Sequence, residues 1–296
     1  MQGVPSVSEP ASVREAAEVL SSAAQDRKCV SIVREGGDVV LSTRRLGRLL
    51  EHEAGDLTCT VEAGMRLSAL NRRLARHGQK LALDPPGDPT MGACIAADLS
   101  GPRRHRFGRV RDLLLGVTLV LPDGTVASSG GKVVKNVAGY DLGKLVCGSV
   151  GRLALIARAS FRLHPLPEAA RSLVVSVDSS EAALSKRQTI LRSQLAPSAV
   201  DLLWPGKLCL LFEGGARAVE QQVVAARELV GGEKGDPWDD VLAFQAGCRG
   251  RQPFAQLDGA MLVRGGEAFL PEETPRTWSG LAERVRAAFD PGAVLV

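Results

Sequence analysis

The chain has 296 residues, of which 45% are hydrophobic and 24% are charged, with a formal net charge of +4. A chain of this size buries about 75% of its unfolded surface, so the composition excludes intrinsic disorder, collagen-like repeats and disulfide-stapled mini-proteins. No apolar run reaches 18 residues, and the first thirty residues include charged side chains such as Glu9, Arg14 and Glu15. We therefore expect a cytoplasmic protein without a membrane span or signal peptide.

The cysteines and histidines argue against a metal site. The six cysteines lie at least thirty positions apart, and the four histidines show neither H-x-x-x-H nor H-E-x-x-H spacing. We therefore expect reduced thiols, no bound metal and no iron–sulfur cluster ligated by this chain alone.

Charge and aromatic content divide the chain near Pro165 and Pro167. Residues 1–166 carry a net charge of +7, whereas residues 167–296 carry −3 and contain all three tryptophans. The sequence therefore predicts a basic, glycine-rich domain over residues 1–166 and a smaller domain over residues 167–296.

Local patterns in the first half predict alternating helices and strands. Ser12 and Glu15 form a capping-box pattern that opens a helix ending near Ala24. A second helix is predicted over residues 67–77, and a short helix of small residues follows Thr90. The predicted strands lie at residues 30–33, 39–41, 57–61, 117–121, 126–128 and 153–163.

The second half also mixes helices and strands. Its predicted strands lie at residues 173–177, 199–203 and 208–212, and its predicted helices at residues 181–195 and 216–229. With no internal repeat in the chain, the fold class is α+β.

Glycine is unusually dense between Asp84 and Gly151, with twelve glycines in 68 residues. Glycine is needed where backbone approaches a ligand closely, which favours a cofactor site; a turn-rich architecture would show the same density. The small-residue helix after Thr90 suggests an anion or flavin contact, and the alternative is a tightly packed core helix.

Two further segments are candidates for function. Residues 103–111 contain five arginines with little aromatic interleaving, so a nucleic-acid surface is disfavoured. The remaining interpretations are a ligand phosphate site, a docking surface for a partner subunit or a solvated loop. Residues 131–142 place two lysines, an asparagine, an aspartate and Tyr140 on a glycine-rich segment, a pattern typical of a preorganised site.

Several segments together resemble a known family. The order and spacing of these motifs are similar to the FAD-binding domain of vanillyl-alcohol-oxidase/p-cresol-methylhydroxylase (PCMH)-type flavoproteins, and residues 132–145 most resemble the FAD-binding subunits of bacterial glycolate oxidases. The motifs are Asp84-Pro85-Pro86, Thr90-Met91-Gly92, 99–104, Phe107-Gly108, Val110-Arg111-Asp112, 135–142, 148–151 and 163–167.

The resemblance implies a two-subdomain PCMH-type FAD-binding domain followed by a smaller, shortened α+β cap domain. It implies non-covalently bound FAD, and no catalytic residue is assigned. The implied cofactor-binding residues are Pro85, Pro86, Thr90, Met91, Gly92, Ala93, Ala96, Gly101, Gly108, Gly151, Leu153 and Ile156.

The implied function is a subunit of a complex that oxidises glycolate, a 2-hydroxy acid, to glyoxylate. Electrons would pass through the flavin to an iron–sulfur partner, beside a homologous FAD-containing catalytic subunit. Two alternatives stay open: a degenerate scaffold subunit with weak or no FAD, and a stand-alone FAD-linked dehydrogenase for D-lactate or another 2-hydroxy acid.

Three features depart from the family pattern. The glycine-rich pyrophosphate loop is reduced to Gly36-Gly37 and passes directly into the next strand. Ala93 and Ala154 replace glycines, and Arg152 is expected to place bulk where the ligand approaches. The C-terminal domain is short. These departures bear on FAD affinity and on the substrate site.

Overall fold

A computed structural model describes residues 5–32, 36–131, 141–274 and 279–296. The elements of the first part are β1 (Ser6–Ser8), α1 (Val13–Gln25), β2 (Val30–Ile32), β3 (Val39–Leu41), β4 (Leu49–Glu53), β5 (Thr58–Glu62), α2 (Leu67–Ala75), β6 (Gln79–Lys80), α3 (Met91–Ala96), α4 (Arg104–Phe107), α5 (Val110–Leu113), β7 (Leu114–Val120), β8 (Val126–Gly130), α6 (Leu142–Val146), β9 (Leu155–Arg162) and β10 (His164–Pro165).

The second part follows without a long linker. Its elements are β11 (Ala169–Val177), α7 (Ser180–Arg192), β12 (Ala199–Trp204), β13 (Gly206–Gly214), α8 (Ala216–Val230), β14 (Glu233–Lys234), α9 (Trp238–Gly247), β15 (Gly250–Pro253), β16 (Met261–Arg264), β17 (Glu267–Leu270) and α10 (Gly280–Phe289). In the described ranges, no helix is both long and apolar enough to cross a bilayer.

The chain begins with a small parallel layer. Strands β1, β3 and β2 lie side by side in that order, and α1 packs against them through Ala16 and Leu20. The predicted cap at Ser12 is confirmed, since its hydroxyl accepts a hydrogen bond from the Glu15 amide (3.1 Å). The Glu15 carboxylate accepts from the Ala11 amide (2.9 Å), one residue before the N-cap, so the reciprocal half of the capping box is shifted by one residue.

A five-stranded antiparallel sheet forms the second layer, in the order β4-β5-β9-β7-β8. Helices α2 and α3 bury their apolar residues in its core, together with Phe161 of β9 and Leu119 of β7. The other side of the sheet meets α1 through Val120 and Leu155. The two layers are therefore joined by one continuous apolar contact.

The C-terminal part is a seven-stranded antiparallel sheet in the order β14-β11-β13-β12-β16-β17-β15. Helices α7 and α8 pack on it, and Phe212 and Leu210 are fully buried in its core. This sheet begins at Ala169, close to the predicted boundary. Several of its elements were not predicted, because β14 to β17 are two to four residues long and α9 has a weak apolar period.

The end of the chain returns to the first layer. Val294 and Leu295 lie in the core beside Val30, whose amide donates to the Val294 carbonyl (2.6 Å). The Asp290 carboxylate accepts hydrogen bonds from the Val294 and Leu295 amides (2.8 and 2.7 Å) and fixes this return. A division into domains at residues 166 and 167 stays a proposal, since these last residues complete the core of the first unit.

Gly101 allows the closest backbone approach near α3, and its replacement is a direct test of the packing. A Cβ atom at this position would lie 1.7 Å from the Asp84 carbonyl oxygen. We expect Gly101→Ala to lower the free energy of unfolding by at least about 2 kcal/mol, because backbone must move to make room. Gly247→Ala is the control, since nothing lies within 4 Å of its Cβ position; equal effects on thermal unfolding would contradict the expected role of Gly101.

Candidate functional site

The short helix α3 separates the core from a cavity. Its N-cap residue, Thr90, accepts a hydrogen bond from the Ala93 amide through the side-chain hydroxyl (3.3 Å). The inner face is completely buried and consists of Met91, Cys94 and Ile95. The outer face lines the cavity and carries only small residues, namely Gly92, Ala93 and Ala96.

The opposite wall is a loop that docks onto the end of α3. The amides of Gly148 and Val150 donate to the carbonyls of Ile95 and Ala96 (3.0 and 2.8 Å), so the last carbonyls of the helix are satisfied. Val150 has φ +57° and lines the cavity. A β-branched residue in the left-handed region is strained by roughly 1–3 kcal/mol, which is typical of residues held at functional sites.

The cavity encloses about 200 Å³ between the parallel layer and the antiparallel layer. Ile32 ends β2 and Thr43 lies two residues beyond β3, so both reach it from the carboxyl ends of parallel strands. Apart from the hydroxyls of Thr43 and Thr90, the described lining side chains are apolar, and none is charged.

These walls suit one part of a dinucleotide better than another. Small apolar side chains allow a flat ring system to lie against the backbone, as the ring system of a flavin requires. The described lining offers no cation to a pyrophosphate, so it fits the ring portion of FAD. Residues 33–35 and 132–140, including the predicted segment around Tyr140, lie outside the described residues.

A second cavity of about 300 Å³ lies on the other side of the same loop. Leu145, Ser149, Arg152 and Leu153 line it together with α10. Arg152, which was expected to obstruct the ligand, lines this second cavity and not the first, because successive pairs of residues in this loop face the two cavities. Leu153, an implied FAD contact, also lies in this second cavity.

Four of the five arginines of residues 103–111 contact the C-terminal sheet. Arg103 binds the Glu213 carboxylate through Nε and Nη2 (3.0–3.2 Å), and Lys80 binds it from the other side (3.0 Å). The Arg106 guanidinium donates to the Glu213 carbonyl (3.1 Å). Glu213 is 5% exposed, so this carboxylate is buried between cations of the first unit.

Glu267 forms a second centre of the same kind. Its carboxylate binds Arg104 (2.6 Å), Arg109 (2.7 Å) and Arg251 (2.8 Å). We call these two centres the interface cluster; its members are Lys80, Arg103, Arg104, Arg109, Glu213, Arg251 and Glu267. These contacts correct the interpretation of residues 103–111 as a docking surface for a partner. Arg103, Arg104 and Arg109 form ion pairs with carboxylates of the same chain.

The comparisons with known proteins agree with the geometry of the first cavity. Residues 5–130 match the family model described as "FAD binding domain". Over this segment the chain is therefore similar to FAD binding domains. The match supports FAD, the cofactor that the resemblance implied.

Curated relatives share this domain. The chain is 34% identical over 234 residues to the glycolate oxidase subunit GlcE of Escherichia coli, covering 77% of this chain and 62% of that protein. It is 32% identical to the mitochondrial D-lactate dehydrogenase [cytochrome] 1 of Saccharomyces cerevisiae, covering 53% and 27%, and 32% identical to the glycolate oxidase subunit GlcD of Bacillus subtilis, covering 57% and 36%. The chain thus spans between about a quarter and two thirds of the length of these relatives.

A solved structure shows the same fold at low sequence identity. An alkyldihydroxyacetonephosphate synthase superposes with a TM-score of 0.74 over 97% of this chain and 75% of its own, at 15% identity. The predicted α+β fold with a PCMH-type FAD binding domain is confirmed.

Half of the implied cofactor contacts come together in the cavity of the FAD binding domain. They are Thr90, Gly92, Ala93, Ala96, Gly151 and Ile156. Met91 lies in the core, and Gly108 ends α4 with φ +85°. Pro85, Pro86 and Gly101 lie outside the described lining.

Several lining residues were not predicted from the sequence, among them Ile32, Thr43, Ala97 and Leu99. A signal existed for the first two, since carboxyl ends of neighbouring parallel strands meet at one edge of a sheet. The role of Gly92 also differs from the expected one. Its missing Cβ would lie 3.0 Å from the Ala63 Cβ, so the absence of a side chain permits close packing of α3 on the core, while the residue itself also lines the cavity.

The interface cluster predicts a dependence of stability on acid. Burial alone would raise the pKa of Glu213, but hydrogen bonding and attraction from Arg103 and then Lys80 outweigh it and hold the pKa below its ordinary value of 4.5. The folded protein therefore gains stability from this carboxylate above pH 4.5 and loses it as the pH falls through the lowered pKa. We expect Glu213→Gln to cost roughly 3 kcal/mol at pH 7 and to flatten the decline of stability below pH 4.5.

Urea unfolding at a series of pH values measures this effect. Glu220→Gln is the control, because Glu220 pairs with Arg171 and Lys234 on the surface, where ion pairs contribute little. If Glu213→Gln kept the full acid dependence of the wild type, the assignment to Glu213 would be refuted.

Proposed function

We propose that the chain is the FAD-binding subunit of a glycolate-oxidase-like complex that oxidises a 2-hydroxy acid, with glycolate giving glyoxylate. The observation that carries the proposal is the apolar cavity of the FAD binding domain, walled by Gly92, Ala93 and Ala96 on one side and by Val150 and Gly151 on the other. The relatives named as glycolate oxidase subunits support the substrate class and the assembly.

The residues of the chain would hold and shield the cofactor. The small residues of α3 admit the ring system, and Ile32, Leu99 and Ile156 exclude water from it. FAD, when bound, supplies the chemistry by accepting a hydride from the substrate carbon. We propose non-covalent attachment, since the described lining contains no histidine, cysteine or tyrosine, and Cys94 is fully buried on the core side of α3.

The electrons must leave the flavin through a partner. No pair of cysteines in the sequence has the spacing of an iron–sulfur motif, which supports a separate iron–sulfur subunit and a homologous catalytic subunit as partners. A cytoplasmic location, with membrane association through those partners, belongs to the same proposal.

One observation favours a second candidate. Because the described lining is uncharged, no residue there can bind a substrate carboxylate or act as an acid or base. The chain would then hold FAD only weakly or serve as a scaffold within the same complex, with substrate oxidation on the homologous subunit. The relatives named D-lactate dehydrogenases keep a stand-alone dehydrogenase as a third candidate.

Filling the cavity tests the location of FAD. We expect Ala96→Leu to raise the Kd for FAD by at least about tenfold, a loss of about 1.4 kcal/mol, because the larger side chain occupies the space of the ring. Binding is measured by flavin fluorescence, and acid precipitation should release all of the flavin into solution. Ala218→Leu on the exposed face of α8 is the control; equal flavin affinity in both variants would place the site elsewhere.

Co-expression separates the candidate functions. We expect the isolated chain to show little dye-linked glycolate oxidation and the complex with an iron–sulfur subunit and a homologous flavoprotein subunit to show full activity. Ala96→Leu in this complex should lower the activity at least tenfold if flavin on this chain takes part. Unchanged activity of that complex would favour the scaffold, and full activity of the isolated chain would favour the stand-alone dehydrogenase.

A further inference from the structure

One wall of the FAD cavity is held from behind by the C-terminal sheet. Ala97 and Leu99 line the cavity, and the residues that alternate with them point to the other unit. Asp98 pairs with Arg109 (3.3 Å) and with Arg251 of β15 (3.7 Å). The Ser100 carbonyl, two residues after Asp98, accepts a hydrogen bond from the side chain of Gln245 of α9 (2.9 Å).

The side-chain amide of Gln245 has a fixed orientation. Its oxygen accepts from Arg264 (2.7 Å), so its nitrogen is the atom that faces the Ser100 carbonyl. Arg264 is in turn bound through two nitrogens by Asp201 (2.6–3.0 Å), and both residues are 0% exposed. A buried, bidentate ion pair does not rearrange cheaply, so the amide is anchored to the C-terminal sheet.

The wall contains one uncommon backbone conformation. Asp98 has φ +48°, in the left-handed region, which aspartate adopts more often than most non-glycine residues. Ser100 is 3% exposed, so no solvent replaces the hydrogen bond from Gln245. The chain of contacts from Asp201 through Arg264 and Gln245 to Ser100 therefore reaches the cavity wall without any residue of the C-terminal unit lining it.

We propose that Gln245 is a positioning residue for the cofactor: anchored by Arg264 and Asp201, it fixes residues 97–100 and thereby sets the affinity of the cavity for FAD. The inference rests on the proposed FAD site. On this proposal the C-terminal sheet influences FAD affinity without touching the cofactor, because it fixes the backbone of residues 97–100.

Gln245→Glu isolates the contact with Ser100. The carboxylate keeps an oxygen for Arg264, but its second oxygen replaces the amide nitrogen and repels the Ser100 carbonyl. We expect the Kd for FAD to rise about tenfold. The melting temperature of the FAD-free variant should equal that of the FAD-free wild type. Gln245→Leu removes both contacts and should weaken FAD binding and lower the melting temperature together.

Gln222→Glu is the matched control. Gln222 lies on α8, and its side-chain oxygen accepts from the Ala196 amide (2.8 Å), far along the chain from residues 97–100. A glutamate there keeps the acceptor and changes the charge of the same unit by the same amount. We expect wild-type FAD affinity from this variant, which shows that charge alone is not the cause.

Hydrogen exchange of the FAD-free protein provides a second measurement. We expect Gln245→Glu to speed exchange of the Leu99 amide, which donates to the Cys94 carbonyl (2.9 Å), at least tenfold relative to Gln222→Glu. A wild-type Kd for FAD in Gln245→Glu, or unchanged exchange at Leu99, overturns the positioning role. A wild-type protein that binds no FAD refutes the proposed function instead, and the exchange measurement then still decides whether Gln245 positions the wall.

Discussion

The arrangement of the two units depends on two carboxylates of the C-terminal sheet, the buried Glu213 and the partly buried Glu267, which bind cations of the first unit. Glu213 is held by Lys80 and Arg103, and Glu267 by Arg104, Arg109 and Arg251. Compared with apolar residues in both places, such pairs contribute little net stability, since removal of the charges from water offsets much of their attraction; removal of one partner is costly because the other charge stays unpaired. Their effect is on geometry, because both carboxylates lie where the cations of the first unit converge, and a displaced interface would leave these charges unpaired.

This constraint explains where the cavity of the FAD binding domain lies. The helix α4, which carries Arg104, follows closely on the cavity wall at Leu99. Any displacement of the C-terminal sheet would therefore be transmitted to that wall over a few residues of backbone. On the far side the loop at Gly148 and Val150 is tied to the end of α3, so both walls take their position from the same short helix.

Local signals in the sequence predicted the elements but not their long-range partners. The cap at Ser12 and the small residues after Thr90 were sufficient to predict two helix starts, because caps and helix faces are encoded within a few positions. Local signals could not predict the role of the arginines, since Arg103 and Glu213 are 110 positions apart and nothing in the sequence around either residue identifies the other. Gly92 shows the same limit: a glycine that permits contact with Ala63 and one that admits a ligand look alike in sequence.

The return of the chain to its own beginning has a consequence for biosynthesis. Cys29 and Ala293 meet although they are 264 positions apart, so the contact closes a loop that spans nearly the whole chain at a considerable cost in chain entropy. The parallel layer that supplies Ile32 and Thr43 lacks part of its apolar core until Val294 and Leu295 have been translated. Cofactor loading in the cell should consequently follow synthesis of these residues, and a nascent chain would expose the unfinished layer to chaperones in the meantime.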